Sequence, residues 1–291
     1  MKGYLIIVIL ILALSGCSTQ QGQNQSDWKV ATKTNWADNE GLLSIESIVL
    51  DENNDILYAS NGLQYKPGTD GFISKLSKRG DILDLKWIDS LNRPTGMAIH
   101  QAILYVADVN ALLLIDTHSG TITQRIASPI ANAGLNDVSI NAQGEVFVSA
   151  SFIHAILKLE NGKLVQWLQD KEKLQWANGI SAEDDKLLVG GMNLVTVDLK
   201  SKAINTLSLN PSVQDFDGIV SDRKGGYFLT TVANSGLYHF NGATETRKLM
   251  EGQAYFGDLD FDPNSNTLYL PRGNNETSEY YITEVNLEDQ N

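Results

Sequence analysis

Short apolar strands recur in a fixed order along most of the chain. Each unit begins with a polar residue that leads into an apolar strand, a turn, and a second strand rich in Leu, Tyr, Phe and Val. The six leading polar residues, 39 to 49 positions apart, are Glu46, Thr95, Asn136, Asn178, Asp217 and Asp258. A second hairpin follows each unit, with Ser-Gly, Asn-Gly or charged residues at the clearest tips. Four strands in each of six such units predict an all-β, six-bladed β-propeller.

Two further features of the pattern define the extent of this domain. No stretch after Leu14 has the helical periodicity that a parallel β/α barrel needs between its strands, so we do not expect that fold. The segment Trp28–Trp36 precedes the first unit and is expected to form the outer strand of the sixth blade. That pairing would close the ring and protect its sheet edges. The propeller is therefore predicted over residues 28–291.

The N-terminal residues predict export. A basic start at Lys2 and an apolar run from Tyr4 to Leu14 precede small residues and Cys17, the single cysteine of the chain. This length and these flanks are typical of a secretory signal peptide rather than a membrane-spanning helix. A lone cysteine cannot form an internal disulfide, so Cys17 is not predicted to cross-link the fold.

The residues around Cys17 resemble the lipobox of bacterial lipoproteins. This resemblance implies that residues 1–16 are a signal peptide that is cleaved off, and that Cys17 is then lipidated. More than one acyl chain would anchor the protein stably to a membrane. A Ser rather than an Asp at position 18, directly after the cysteine, resembles the outer-membrane sorting pattern of Gram-negative lipoproteins. This resemblance implies that the protein is anchored to the outer membrane and faces the periplasm. Residues 17–27 are then the lipidated cysteine and a polar, flexible tether.

The acidic composition restricts the partners. The formal net charge is −13 and the isoelectric point is near 4.7. Nucleic-acid binding would require a basic surface, so it is not expected. An acidic protein attracts cations, although this charge also serves solubility.

The leading residues predict a metal site. In a propeller, the first strand of each blade lines the central channel, so its first residues should converge at one rim. Five of the six leading side chains carry carboxylate or amide oxygens, which are ligands for Ca²⁺ or another divalent cation. Carboxylates crowded in a partly dry channel would need either raised pKa values or a neutralising cation. Zinc is not expected, because the domain has no cysteine ligand and its four histidines are elsewhere in the repeat.

The same residues resemble a known family over positions 40–285. Glu46 lies eleven residues before Leu57-Tyr58, and Asn136-Asp137, Asn178-Gly179 and Asp217-Gly218 follow in the third, fourth and fifth units. This order resembles the gluconolactonase, senescence-marker and luciferin-regenerating family of six-bladed propellers. The resemblance implies that Glu46, Asn178 and Asp217 bind the metal, and that Asn136 contacts the substrate or a metal-bound water. Asn136 and Asp258 also belong to the predicted metal-ligand set because they are leading residues.

The chain also departs from that family. Ser47 and Ile48 stand where a Gly and a Pro are usual, and Val138 replaces a Gly. Gly134, two residues before Asn136, stands where many sugar lactonases have a substrate-binding Arg. Metal binding is therefore expected to be retained more readily than specificity for sugar lactones.

Two functions remain open on the sequence alone. The first is a calcium-dependent hydrolase of lactones or esters, with Asp217 orienting the water, Asn136 contacting substrate, and Asp137 or Asp258 as further candidate bases. The alternative is a non-catalytic sensor similar to NHL-repeat propellers, which would bind a ligand or a cell-envelope partner. Its contacts would include Trp176 and other aromatic residues near the rim. In both cases we expect the protein to contact the membrane through its lipid anchor alone. His154 follows the inner hairpin of the third unit and is expected to be a strand or loop residue.

Overall fold

The computed structural model describes residues 26–38, 40–233 and 235–291, and it is a six-bladed β-propeller. Each blade is an antiparallel sheet of four successive strand positions, counted outward from the central channel. The strands of blades one to three are β2 Ile48–Asp51, β3 Ile56–Asn61, β4 Gly71–Ser77, β5 Ile82–Leu91; β6 Pro94–His100, β7 Ile103–Asp108, β8 Ala111–Asp116, β9 Thr121–Ala127; and β10 Leu135–Ile140, β11 Val146–Ala150, β12 Ala155–Glu160, β13 Lys163–Gln169. A short 3-10 helix, Ser151–Ile153, lies between β11 and β12.

Blades four and five repeat the same order, and blade six combines both ends of the described chain. The strands are β14 Ile180–Ala182, β15 Lys186–Val189, β16 Val195–Asp198, β17 Ile204–Thr206; β18 Phe216–Ser221, β19 Tyr227–Thr231, β20 Gly236–Phe240, β21 Thr246–Glu251; and β22 Tyr255–Phe256, β23 Asp260–Asp262, β24 Thr267–Asn274, β25 Glu279–Asp289, β1 Trp28–Trp36. The predicted fold class is confirmed, and the inner position of blade six is divided between β22 and β23.

The N-terminal strand closes the ring as predicted. Strand β1 pairs antiparallel with β25, from Trp28 opposite Asp289 to Trp36 opposite Ile282. Trp28 is fully buried, and its indole N–H donates to Asp222 of blade five at 3.2 Å. The closing strand is therefore tied both to its own sheet and to the neighbouring blade.

Trp28→Phe is expected to lower the free energy of unfolding by about 1–2 kcal/mol, because it removes this hydrogen bond and part of the packed ring. Trp36→Phe is a matched control in the same strand, since the Trp36 indole N–H has no acceptor among the described residues. Urea unfolding should show the larger loss for Trp28→Phe. Equal losses would mean that the bond to Asp222 does not stabilise ring closure.

The hydrophobic core consists of layers between adjacent blades. Leu112 and Leu114 of blade two pack with Leu135 and Val148 of blade three, for example. Clusters of the same kind fill the other five junctions. The second and third strands of the blades are buried on both faces in this way, which explains why they are largely apolar, whereas outer strands such as β1 and β9 are mostly exposed.

The N-terminal predictions fall largely outside this description. The predicted signal peptide, the predicted lipidation site Cys17 and the predicted tether up to residue 25 lie outside the described residues. Asp27, the last residue of the predicted tether, already contacts the propeller, since its N–H donates to Asp289 Oδ1 at 2.9 Å. In the part of the chain that the structure describes, no helix is long and apolar enough to cross a membrane.

Candidate functional site

The leading residues meet on one face of the ring, which we call the rim face. It carries the loops between the second and third strands of each blade and the connections between blades. Three leading positions share one backbone pattern, in which the N–H donates to a carbonyl near the end of the second strand: Glu46 to Ser60 (3.1 Å), Asn178 to Gly190 (2.9 Å) and Gly257 to Pro271 (2.9 Å). The sixth leading residue is therefore Gly257. Asp258 lies one position further along the inner strand than its predicted place in the repeat.

Glu46, Asn178 and Asp217 form the centre of the site. The amide Nδ2 of Asn178 donates to Asp217 Oδ1 at 2.7 Å, which joins blades four and five. Glu46 Oε2 is buried and has no hydrogen-bond partner among the described residues. Burial and the nearby charge of Asp217 raise the pKa of Glu46 well above its usual range. Residues far apart in sequence thus share one electrostatic environment.

Burial also raises the pKa of Asp217, to about 7, against the opposing effect of its hydrogen bond from Asn178. Such a carboxyl group is a stronger base than an exposed aspartate. Its Oδ2 accepts no hydrogen bond from the described residues, so one oxygen is available to a ligand or a water.

The donor set fits a hard divalent cation. Glu46 and Asp217 offer carboxylate oxygens, and Asn178 can offer its amide carbonyl because its Nδ2 is already used by Asp217. Such oxygens suit Ca²⁺, and a cation would satisfy the unpartnered Glu46 Oε2. Among the described residues, no three His, Cys, Asp or Glu side chains are grouped as a metal site. The fit therefore requires the amide oxygen as well as the two carboxylates.

Asn136 lies at the same rim, on β10. Its Nδ2 is 3.2 Å from Ser151 Oγ, and that hydroxyl in turn donates to the Ala177 carbonyl at 2.7 Å. These bonds hold the Asn136 amide in place and link blade three to the segment that leads to Asn178. Thr95, the leading residue of blade two, is buried and donates to main-chain carbonyls.

Asp137 and Asp258 lie one step inside the rim and connect adjacent blades. Asp137 accepts the N–H of Ile180 in blade four at 2.8 Å, and Asp258 accepts the hydroxyl of Ser47 in blade one at 2.9 Å. A Cβ at Gly96 would lie 2.1 Å from Asp137 Oδ1, and one at Gly218 would lie 2.6 Å from Asp258 Oδ1. Close packing of the inner strands therefore requires those glycines.

Both carboxylates line the central channel, a cavity of about 850 Å³ that extends to the opposite face near Glu52 and Arg223. Burial raises the pKa of Asp137 and of Asp258 well above the usual range, and the nearby charges of Glu46 at Asp137 and of Asp137 at Asp258 add to this effect. Because the carboxylate oxygens of Asp137 and Asp258 accept hydrogen bonds from neighbouring inner strands, they have fewer free lone pairs than those of Glu46 and Asp217.

Arg93 is a rim residue that the sequence reasoning missed. It is buried and donates from Nη2 to the Ser44 carbonyl at 2.9 Å. Its charge lowers the pKa of both Glu46 and Asp217, against the larger effect of burial. Its backbone N–H is fixed by Asp108 Oδ1 at 2.8 Å. The signal was present, because Arg93 lies two residues before leading Thr95, the same offset that drew attention to Gly134.

The cluster predicts an unusual dependence of stability on pH when metal is removed. A raised folded-state pKa means that the folded protein keeps a proton that the unfolded chain releases above about pH 4. The free energy of unfolding should therefore fall between about pH 5 and pH 7 in chelator, the upper limit following from the pKa of about 7 for Asp217. Groups such as Asp116, whose pKa the Ser119 N–H lowers, act below this window.

Urea unfolding at several pH values in EDTA would measure this slope. Asp217→Asn should reduce it, because one of the buried acids with a raised pKa is removed, and saturating Ca²⁺ should also reduce it for the unaltered chain. A metal-free protein whose stability is constant or rises through this window would contradict the assignment of the buried acids.

Comparison with known proteins supports the fold. No protein-family model matches the sequence, and no curated protein matches it. Solved six-bladed propellers do match in structure. They include a gluconolactonase from Xanthomonas campestris (15% identity, 84% of this chain and 86% of that chain, TM-score 0.62) and a luciferin-regenerating enzyme (13%, 90% and 95%, TM-score 0.62). A third is virginiamycin B lyase from Staphylococcus aureus in a structure with quinupristin (13%, 89% and 99%, TM-score 0.62).

These matches place the chain in one class of fold. It is a six-bladed β-propeller of the type found in gluconolactonase, the luciferin-regenerating enzyme and streptogramin B lyase. The predicted resemblance is thus confirmed for the fold. The identities are low, so the site of this chain must be argued from its own residues.

Proposed function

We propose that this protein is a divalent-cation-dependent hydrolase of a lactone or ester, with Ca²⁺ as the cation. The observation that carries the proposal is the buried, unpartnered Oε2 of Glu46 in one charge cluster with Asp217 and Asn178. A buried carboxyl oxygen without a partner costs the folded protein free energy, and a bound cation would remove that cost. The gluconolactonase neighbour supports the substrate class by analogy of fold.

The residues present suit this chemistry. Glu46, Asp217 and the Asn178 amide oxygen would hold the cation, which when bound supplies polarisation of the substrate carbonyl. Asp217 accepts the proton of the attacking water as the water oxygen bonds to the carbonyl carbon. The carbon–oxygen bond to the leaving alcohol then breaks, and that oxygen takes up the proton. Asn136, held by Ser151, is placed to orient the substrate.

The test is metal-dependent stability followed by turnover. Full-length protein in detergent, treated with EDTA and then titrated with Ca²⁺ or Mg²⁺, should show a rise in Tm. Hydrolysis of simple lactones and aryl esters should stop in EDTA and return with the cation. No effect of either ion on Tm would remove the metal site. Stabilisation without turnover would favour the alternative, a non-catalytic binding propeller.

The N-terminus supports a location for this activity. We propose that the chain is exported and anchored through lipidated Cys17 to the outer membrane, facing the periplasm. Metabolic labelling with a radioactive fatty acid in a Gram-negative host should label the unaltered chain and not Cys17→Ser. Equal labelling of both, or of neither, would contradict the anchor.

A further inference from the structure

Exposed large hydrophobic side chains are concentrated on the rim face. Five such side chains occur among the described residues, and four of them lie in rim loops: Leu63, Phe152, Trp176 and Val232. The fifth, Leu83, lies on the outer strand of blade one. Apolar surface gathered around a polar site is a common sign of ligand binding.

Part of this surface is a continuous aromatic wall, formed by Tyr65, Phe152, His154 and Trp176. Ring centroids are 5.3 Å apart for Tyr65 and Phe152, 6.0 Å for Phe152 and Trp176, and 5.6 Å for His154 and Trp176. All three contacts are edge-to-face, which is a favourable arrangement for aromatic rings. The wall joins loops of blades one and three to the connection between blades three and four.

The wall adjoins the proposed catalytic centre. The Tyr65 hydroxyl donates to the carbonyl of Leu135, the residue before Asn136. Burial and the nearby charge of Glu46 raise the pKa of Tyr65, so this phenol lies within the field of the acid cluster. Trp176 is two residues before Asn178. A ligand whose carbonyl lies at the acid cluster would therefore meet the wall with its other end.

The backbone holds the wall in a defined shape. Trp176 and His154 both have φ of 54°, a conformation that is costly for bulky residues. The Trp176 N–H donates to His154 Nδ1 at 3.1 Å, which fixes the two relative to each other. Despite this anchoring, 48% of Trp176 is exposed. Strain that displays an indole to solvent next to a polar site is expected where the ring has a binding role.

Phe152 occupies the space beside Gly134, the position at which the family resemblance implies a substrate-binding Arg in sugar lactonases. A Cβ on Gly134, where φ is 64°, would lie 2.8 Å from Cγ of the Phe152 ring. No larger side chain can therefore extend from residue 134 while the ring stays in place. The chain presents an aromatic ring there instead of a cation or a hydrogen-bond donor.

We propose that the aromatic wall binds the apolar arm, an alkyl tail or an aryl ring, of a lactone or ester. The inference rests on the proposed function, because the carbonyl of that ligand is taken to lie at Glu46, Asn178 and Asp217. Apolar and aromatic groups gain free energy by leaving water against such rings. Polyhydroxylated sugar lactones lack an apolar arm, so they would bury less apolar surface against the wall.

The test compares δ-dodecalactone, which has a heptyl tail, with δ-valerolactone, which has the same ring without it. Trp176→Ala should raise KM for the tailed lactone about 10-fold and leave kcat and the KM of δ-valerolactone unchanged. Leu83→Ala, which also removes an exposed apolar side chain, should change neither. Trp176→Gly is a second variant that should fold well, because glycine adopts this φ without strain.

Binding without turnover separates the two proposals. The lactam analogues of both compounds keep ring and tail but resist hydrolysis, and equilibrium dialysis with Ca²⁺ measures their affinity. Tighter binding of the tailed lactam, weakened about 10-fold by Trp176→Ala, would support the wall even if no lactone were hydrolysed. Equal affinity for the two lactams, or no effect of Trp176→Ala and Trp176→Gly, would overturn the wall and leave the metal proposal standing.

Discussion

Asp217→Asn is expected to lower kcat/KM for lactone hydrolysis about 1,000-fold or more. The carboxylate combines two tasks in the proposed chemistry, since it binds the cation and accepts the proton of the attacking water. An asparagine amide is neutral and cannot take that proton. Its shape is nearly the same, so the hydrogen bond that Asn178 donates to Oδ1 at 2.7 Å can be kept.

Asp260→Asn is the matched control for this result. Asp260 is another carboxylate of the channel wall whose pKa burial raises, to about 6, but it lies on β23 beside Leu50, away from the leading residues. Steady-state rates in saturating Ca²⁺ should change less than about threefold for Asp260→Asn if only the rim carboxylate takes part in chemistry. Retention of activity by Asp217→Asn would refute the role given to that residue.

Glu46→Gln is expected to change stability in opposite directions with and without metal. In EDTA, the unaltered protein keeps a buried carboxyl group whose Oε2 has no partner among the described residues. Replacing it with a neutral amide should raise the free energy of unfolding by about 1–2 kcal/mol. The amide N–H group that Glu46→Gln introduces would also face Asp217 and Asp258, whose charges raise the pKa of Glu46 in the unaltered protein.

In saturating Ca²⁺, the unaltered protein should instead have the larger free energy of unfolding. A ligand at one hundred times its Kd stabilises the folded state by about 2.7 kcal/mol, and Glu46→Gln should lose most of this gain. Glu52→Gln serves as the control, because Glu52 lies at the opposite end of the channel. Paired urea titrations measure all four values. If Glu46→Gln is destabilising in EDTA, or still responds fully to Ca²⁺, Glu46 is not a metal ligand.

The position of Asp258 illustrates how far the repeat could be followed along the chain. In five units the leading residue could be read from polar–apolar order alone. In the sixth, the inner strand is broken between Phe256 and Asp260, and the residues between them include both Gly257 and Asp258. Asp258 precedes an apolar residue and so matches the sequence pattern of a leading residue. The backbone hydrogen bonds, however, place Gly257 at the leading position.

The sequence by itself determined the architecture of this protein and most of its polar centre. The order of polar and apolar segments, turn chemistry and repeat length are local properties, so they specified the six blades, the closing strand Trp28–Trp36 and the leading positions of Glu46, Asn178 and Asp217. Chain closure then brings residues of the same repeat phase to one rim by symmetry.

Only the tertiary structure decided which groups surround that centre. Arg93 reaches Ser44 across 49 positions, and Tyr65 reaches Leu135 across 70, through a loop that extends from blade one to blade three. The contact of Phe152 with Trp176 joins a loop of blade three to the connection that leads into blade four. Such contacts depend on loop paths and on side-chain packing between blades, which no periodic pattern encodes. The physical reason is that the repeat fixes each inner strand, whereas the irregular loops fix the walls of the site.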